Sequence, residues 1–338
     1  MQCQWKDKVL SVKPDQFDAL ALEVFGYQYA HNPVYRQYVQ ALGIDLKEVT
    51  RVENIPFLPI RFFKSHKVVT TDFIPSLEFE SSGTTAMINS RHLVKDASLY
   101  EASYMSCFGS FYGSPSEWCI LGLLPSYLER KNSSLVHMVD GLIKKSGHNA
   151  SGFYLNEHEE LFRRLISLFE AGQKTLLIGV TFGLLDFAEA YAKHFPPGLF
   201  KNVTVMETGG MKGRRREMIR EEVHTILKQA FDLPAIHSEY GMTELLSQAY
   251  SPGNGRFHSP PWMKVLLRDE EDPLTLKPHA SSKPVSGSIN VIDLANIYSC
   301  SFIATDDLGR SHPDGSFEVL GRIDNSDLRG CSLMVAAV

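Results

Sequence analysis

Apolar positions along this 338-residue chain follow a helical period near the start and short strand-like runs later. From Asp15 to Ala41 the spacing of Phe17, Leu20, Ala21, Val24 and Phe25 predicts a helix. Asn32-Pro33 interrupts it, because proline removes a backbone donor, and Val34, Tyr38 and Val39 resume the pattern. Ile55 to Ile60 carries two prolines and is expected to run extended. Ser76-Leu77-Glu78-Phe79-Glu80 alternates as a short strand does. Beyond it, Cys119 to Leu124, Thr175 to Val180 and Val203 to Met206 are apolar strand-like runs, with Leu161 to Phe169 and Leu184 to Ala192 helical between them. Met211 to Ala230 has one apolar helical face (Ile219, Val223, Ile226, Leu227, Ala230), with Arg214-Arg215-Arg216 in its first turn. Strand–helix alternation of this kind predicts an α/β fold of mixed β-sheets covered by helices. After Phe257 the texture changes to short strands: Val265 to Leu267, Ser288 to Ile292, Ser301 to Ala304 and Phe317 to Leu320. Two regions are therefore expected: a helical N-terminal segment with an α/β core over residues 1–256, and a smaller strand-rich lobe over 257–338.

Composition narrows the class. Hydrophobic residues make up 43% and charged residues 22%, ordinary for a globular protein. A net charge of −5 argues against nucleic acid as a partner, since such proteins present a basic face. No apolar run reaches the roughly 18 residues of a membrane span. Met1 to Lys8 is polar, without the apolar core of a signal peptide. The five cysteines (Cys3, Cys107, Cys119, Cys300, Cys331) form no CxxC pair, which predicts reduced thiols in a cytoplasmic protein rather than disulfides or a zinc site.

Four segments carry candidate chemistry. Ser81-Ser82-Gly83-Thr84-Thr85 surrounds one glycine with small hydroxylated residues, leaving backbone N–H groups free to face an anion. It lacks the Gly-Lys-Ser/Thr of a Walker loop, and such runs are also ordinary loops. His237 to Glu244 places Tyr240-Gly241, an aromatic face open to a planar base, ahead of Thr243 and Glu244, a hydroxyl and a carboxylate suited to Mg²⁺. A turn with a helix N-cap at Thr243 fits the same residues. Thr305 to Gly309 offers an Asp at a strand end for ribose hydroxyls, and Gly321-Arg322 a guanidinium for ribose or phosphate. The Arg214–Arg216 run reads first as a solvated face, yet cations at a helix N-terminus oppose the dipole unless an anion lies nearby. His92 and His237 lack ligand spacing and read as structural or substrate-positioning.

The order SSGTT, GG, SEYGMTE, TDDLG, GRIDNSDLRG resembles the core motifs of the adenylate-forming (acyl-adenylating) superfamily. The chain is most similar to its LuxE-type acyl-protein synthetases. Carrying that likeness are Ile55 to Ile60 with Phe62-Phe63-Lys64, Ser81 to Thr85 with Ser90-Arg91-His92, and Leu124 to Arg130. Further on come Glu207 to Arg214, Ser238 to Glu244, and Arg329-Gly330-Cys331. By position, the resemblance implies that Ser81, Ser82, Gly83, Thr84 and Thr85 cradle the phosphates of ATP. Gly209, Gly210 and Tyr240 would bracket adenine, with Gly241 and Thr243 beside them and Glu244 binding Mg²⁺. Asp307 would hold the ribose, and Arg322 the ribose or phosphate. The implied reaction is attack of a carboxylic acid, expected to be fatty, on the α-phosphorus, giving acyl-AMP and pyrophosphate.

Two departures from the superfamily pattern matter. Its phosphate loop carries a lysine after a Gly-Pro pair, where this chain has Ala86 to His92, so Arg91 or His92 is expected to supply the missing positive or donor group. Full-length members continue into a mobile C-terminal domain with a catalytic lysine, and that domain is expected to be absent here. The family passes its acyl group through a C-terminal cysteine, which points to Cys331 as the thiol that forms a thioester, with Arg329 two residues away favouring the thiolate. A packed place for Cys331 in a strand over Cys331 to Val335 is the competing expectation. The acceptor is thus Cys331, a partner reductase or carrier protein, or CoA. A CoA ligase of the phenylacetate type and a non-catalytic nucleotide- or carrier-binding scaffold are the rival functions.

Overall fold

A computed structural model describes residues 2–81, 89–125, 130–209, 218–278 and 282–323. Helices α1 (Gln2–Leu10), α2 (Phe17–His31) and α3 (Pro33–Ala41) come first, and the break between the last two falls at Asn32, whose side chain caps α3 through the Tyr35 N–H. Strand β1 (Leu58–Pro59) and the short helix α4 (Phe62–Ser65) lead to a hairpin of β2 (Leu77–Glu80) and β3 (Arg91–Val94). Then follow α5 (Ala97–Tyr112), β4 (Cys119–Leu123), α6 (Ser134–Ser146), β5 (Gly152–Phe153), α7 (His158–Glu170), β6 (Thr175–Val180), α8 (Thr181–Tyr191), β7 (Val203–Thr208), α9 (Arg220–Phe231), β8 (His237–Tyr240) and β9 (Ala249–Ser251). The last elements are β10 (Met263–Arg268), β11 (Val285–Asp293), β12 (Phe302–Ser311) and β13 (Phe317–Arg322).

Two main sheets result. A six-stranded sheet has the order β5-β4-β6-β7-β8-β9, parallel except for β9. Its central strands read as unbroken apolar runs because both faces are covered. Side chains alternate accordingly. Ile120, Leu176, Ile178 and Met206 pack with α5 and α6, whereas Cys119, Leu121, Leu177 and Val205 pack with α7, α8 and α9. Gly179 lets α8 approach β6, since a Cβ there would lie 2.9 Å from Leu184 Cγ. The second sheet is five-stranded, with the order β1-β12-β11-β10 and β13 on the outer side of β12. It is antiparallel except that β1 runs parallel to β12, so the strand-rich C-terminal part draws one strand from residues 58–59. Among the described residues no helix is long and apolar enough to cross a membrane.

Two expectations need correction here. The helix predicted from Met211 begins at Arg220, and its first turn carries Glu221 and Glu222, the charges that suit a helix N-terminus. Arg214 to Arg216 lie outside the described residues. Of its expected apolar face, Val223 and Leu227 are buried, but Ile219 and Ile226 are exposed. The helix cap expected at Thr243 is also replaced, because residues 241–248 form an irregular connection with a turn at Thr243-Glu244.

Candidate active site

The phosphate-loop candidate is the connection of the β2–β3 hairpin. Its mouth is closed by Ser81 and Ser90: the Ser81 N–H donates to the Ser90 carbonyl at 3.1 Å, and the Ser90 N–H to Ser81 Oγ at 2.9 Å. Ser82, Gly83, Thr84 and Thr85 lie outside the described residues. Register pairs Phe79 with His92 and Glu80 with Arg91, so adjacent residues of β3 face opposite ways. Arg91 is exposed, and its Nε donates to Glu78 Oε1 at 2.6 Å. An exposed pair of this kind is worth at most about 1 kcal/mol, so an anion can draw the guanidinium away at little cost. His92 is buried against the edge of Phe63, and its Nδ1–H donates to the Thr243 carbonyl at 2.8 Å. Burial lowers its pKa to about 4, with the Thr243 carbonyl and the nearby Asn296 opposing the drop. At neutral pH the ring is uncharged and its Nδ1 proton is already committed. Of the two residues expected to supply a positive or donor group, Arg91 carries the positive charge at the surface, and the His92 Nδ1–H is given to the Thr243 carbonyl.

The carboxyl ends of β7 and β8 lie side by side, the usual place for a ligand in an open parallel sheet. At Gly209 the chain leaves β7 with φ of +74°, a conformation that glycine adopts without strain. The Thr181 hydroxyl bridges Glu207 Oε1 (2.7 Å) and the Gly209 carbonyl (2.9 Å), tying the turn to the start of α8. Glu207 also faces Arg220 Nε and His224 Nε2, each at 3.8 Å from Oε2. Burial pushes this carboxyl up, but His224, Arg220 and Thr181 outweigh it and hold Glu207 below the usual value. Gly210 lies outside the described residues.

Tyr240 joins the two sheets. From the end of β8 its hydroxyl donates to Asp307 Oδ2 on β12 at 2.9 Å, and its ring meets Phe317 edge-on at 5.5 Å. Arg322, paired with Asp307 across β12 and β13, brings Nε to 3.6 Å from Oδ1. Burial raises the Asp307 pKa, while Tyr240 and Arg322 oppose the rise. Asp307 sits within β12 rather than at a strand end, and a bulge at Leu308–Gly309 follows it. Gly309 is required there, because a Cβ would lie 2.6 Å from Ile289 Cδ1 and 2.8 Å from the Glu318 carbonyl. Gly241 and Thr243 continue from Tyr240 toward Glu244, which is 5% exposed. Among the described residues no group of three His, Cys, Asp or Glu side chains forms a metal cluster.

Sequence patterns did not single out Glu239. It shares a face of the six-stranded sheet with Thr208, whose hydroxyl donates to Oε2 at 2.5 Å. Burial raises its pKa from 4.5 to about 7, opposed by Thr208 and assisted by the nearby charge of Glu207. The folded protein therefore holds this proton where the unfolded chain has released it. The stabilising contribution is full below about pH 4.5 and is lost as pH rises to about 7. That displacement corresponds to about 3 kcal/mol. In Glu239→Gln the group stays neutral, so the stability of the variant relative to wild type should improve by about that amount across this range. Urea denaturation at several pH values reads the difference. A relative loss with rising pH would mean an ionised Glu239.

The structure thus joins Tyr240, Asp307 and Arg322 in one chain of contacts between the sheets, and His92 ties the hairpin that carries Ser81 and Arg91 to Thr243, three residues after Tyr240. Cys331 lies outside the described residues. Residues 11–337 match the family described as acyl-protein synthetase, LuxE. No match is found among curated proteins. Among solved structures, the fold is similar to that of ATP-bound MatB from Rhodopseudomonas palustris, with TM-score 0.53 and 15% identity over 72% of this chain and 47% of that one. It is also similar to the luciferase-like enzyme of the nonluminescent mealworm Zophobas morio, with TM-score 0.50 and 15% identity over 76% and 60%. The chain shares the fold of these proteins and spans about half the length of the first of them.

Proposed function

The chain belongs to the LuxE acyl-protein synthetase family, and on that premise we propose that it activates a carboxylic acid with ATP and passes the acyl group to a thiol. The observation that supports this most is the Tyr240–Asp307–Arg322 chain of contacts beside the ends of β7 and β8. It gathers an aromatic ring, an acceptor suited to ribose hydroxyls and a guanidinium from three strands.

In this reading Ser81, Ser82, Gly83, Thr84 and Thr85 receive the triphosphate, with Arg91 reaching it from the hairpin. Gly209, Gly210, Tyr240 and Gly241 flank the adenine. A carboxylate oxygen of the acid attacks the α-phosphorus, the new O–P bond replaces the bond to the β-phosphate oxygen, and pyrophosphate leaves. An anion approaching a polyanion needs fixed positive charge and donors, which lower the barrier by offsetting that repulsion. Mg²⁺ fits the donors present: it is commonly held by one or two carboxylates together with nucleotide phosphates, and Glu244 beside Thr243 supplies such a carboxylate. Bound there, it would neutralise phosphate charge. In the second step a thiolate attacks the acyl carbon, a C–S bond forms, the C–O bond to AMP breaks, and AMP leaves. A fatty acid as substrate, Cys331 as thiol and a reductase or carrier protein as onward acceptor complete the proposal.

Release of AMP and pyrophosphate is the test, measured with ATP, Mg²⁺ and a panel of carboxylic acids, with and without CoA. Acid-dependent release without CoA supports the reading. Strict dependence on CoA overturns acyl transfer to protein, and absence of any acid-dependent release overturns the enzyme. A second test addresses the ribose. In Asp307→Asn the Tyr240 hydroxyl keeps an acceptor, but the charge toward the ribose is lost. The KM for ATP should rise roughly tenfold, the worth of one charged hydrogen bond. Discrimination against 2′- or 3′-deoxy-ATP should shrink in parallel, and an unaltered preference for ATP removes Asp307 from the ribose.

A further inference from the structure

The connection from β8 to β9 is irregular yet buried from Glu244 to Gln248. A buried segment without regular structure must satisfy its backbone polar groups through side chains from elsewhere. Cys107 holds its far end through the Gln248 carbonyl, and three other side chains grip its start. His92 Nδ1–H donates to the Thr243 carbonyl at 2.8 Å, and Asn296 Nδ2 donates to the Glu244 carbonyl at 2.6 Å. Asp293 accepts from the Leu246 N–H at 2.7 Å and from Ser247 Oγ at 2.5 Å. Ser247 Oγ in turn accepts from Trp262 Nε1 at 3.0 Å. The grips come from two independent parts of the fold. Asp293 ends β11 and caps the following 3-10 turn through the Ala295 N–H, which presents Asn296. His92 lies on β3, two residues after Ser90 closes the mouth of the candidate phosphate loop.

We propose that His92, Asn296 and Asp293 form a positioning clamp that holds the Thr243–Glu244 turn in register with the phosphate hairpin. The inference rests on the assignment of Glu244 as the metal-binding carboxylate and explains how a turn with no regular structure can hold it. His92 is the member that couples the two, since one ring is fixed to the hairpin by its strand and to the turn by its Nδ1–H. A free acceptor at that carbonyl would let the turn rotate and move the Glu244 carboxylate. Asp293 is suited to its place because the groups it meets are all donors, which an acceptor-only carboxylate satisfies.

The chemistry of the clamp supplies its own control. Asn at position 92 places an amide N–H near the location of His Nδ1, whereas Gln places its amide near that of Nε2 and leaves the Thr243 carbonyl without its donor. Manganese binding in the presence of a non-hydrolysable ATP analogue, followed by the electron paramagnetic resonance signal of free Mn²⁺, reports on the carboxylate without turnover. In His92→Gln the Kd for Mn²⁺ should rise roughly tenfold, the worth of one buried hydrogen bond. His92→Asn should restore most of the affinity. Glu244→Gln in the same assay should weaken binding at least as much. If His92→Gln fails to fold, Asn296→Asp makes the same test from the other side, by replacing the donor to the Glu244 carbonyl with an acceptor. A shift in Glu244→Gln with equal affinities in His92→Gln and His92→Asn overturns the clamp alone. No shift in Glu244→Gln overturns the metal assignment and the clamp with it.

Discussion

In a Glu244→Gln variant, acid-dependent AMP formation should fall by roughly two to three orders of magnitude, with little change in melting temperature. The substitution keeps the shape of the side chain and removes its charge. Its backbone carbonyl, held by Asn296 at 2.6 Å, is untouched, so the turn should keep its place. What is lost is the anionic oxygen that would fix the cation carried by the triphosphate. Losing one pre-positioned electrostatic contact at a reacting centre commonly costs about 10²–10³ in rate. AMP formation measured at saturating ATP and acid, beside a thermal melt, separates chemistry from folding. A rate equal to that of wild type would remove Glu244 from the site.

Much of the fold was legible because β6 and its neighbours are covered on both faces. Parallel strands in that setting appear as uninterrupted apolar runs, and Thr175 to Val180 coincides with the strand read from the sequence. The break between α2 and α3 was legible for a different reason: proline at 33 and a capping Asn32 act within a few residues. Helix α5 was not read, since Ser98, Ser103, Ser106, Gly109 and Ser110 interrupt its apolar spacing. Ser103 is nonetheless fully buried and accepts from the Trp262 indole, a partner that local pattern cannot reveal. The face of α9 was misread because Ile219 precedes the helix and Ile226 lies away from the core around Val223 and Leu227.

The candidate site divides along the same line. Tyr240, Asp307 and Arg322 were singled out by residue type in ordered motifs, and their convergence follows from pairing between β12 and β13 and from contact between sheets. Arg91 and His92 stood as alternatives for a positive or donor group, and strand alternation turns His92 inward while Arg91 turns outward. Nothing local in Ser90-Arg91-His92 says which of the two is covered. Glu239 and Asp293 escaped notice because their importance lies in burial: an ordinary carboxylate becomes unusual only when its partners arrive from other strands. Burial raises Asp293 to about 6 even with several donors around it.

Replacing Cys331 by serine should abolish the covalent acyl adduct while leaving acid-dependent AMP formation measurable. Cys107, Cys119 and Cys300 are fully buried. Burial pushes the Cys119 thiol up to about 11 and that of Cys300 to about 12, and raises Cys107 further. Sγ of Cys107 donates to the Gln248 carbonyl and that of Cys300 to the Phe302 carbonyl, so both are held as protonated thiols. The thiolate is the nucleophile, and none of these three supplies it near neutral pH. Cys331 and Cys3 remain as candidates. Thioester formation adds the mass of the acid less one water. Intact-mass analysis after incubation with ATP, Mg²⁺ and the acid should show that gain in wild type and in Cys3→Ser, with its removal by neutral hydroxylamine marking a thioester. In Cys331→Ser the gain should vanish, whereas hydroxylamine present during turnover should still trap the acyl-adenylate as a hydroxamate. An adduct that survives Cys331→Ser and disappears in Cys3→Ser would move the acceptor to the first helix. Its absence from wild type, with acyl-CoA formed instead, would place the acyl group on CoA.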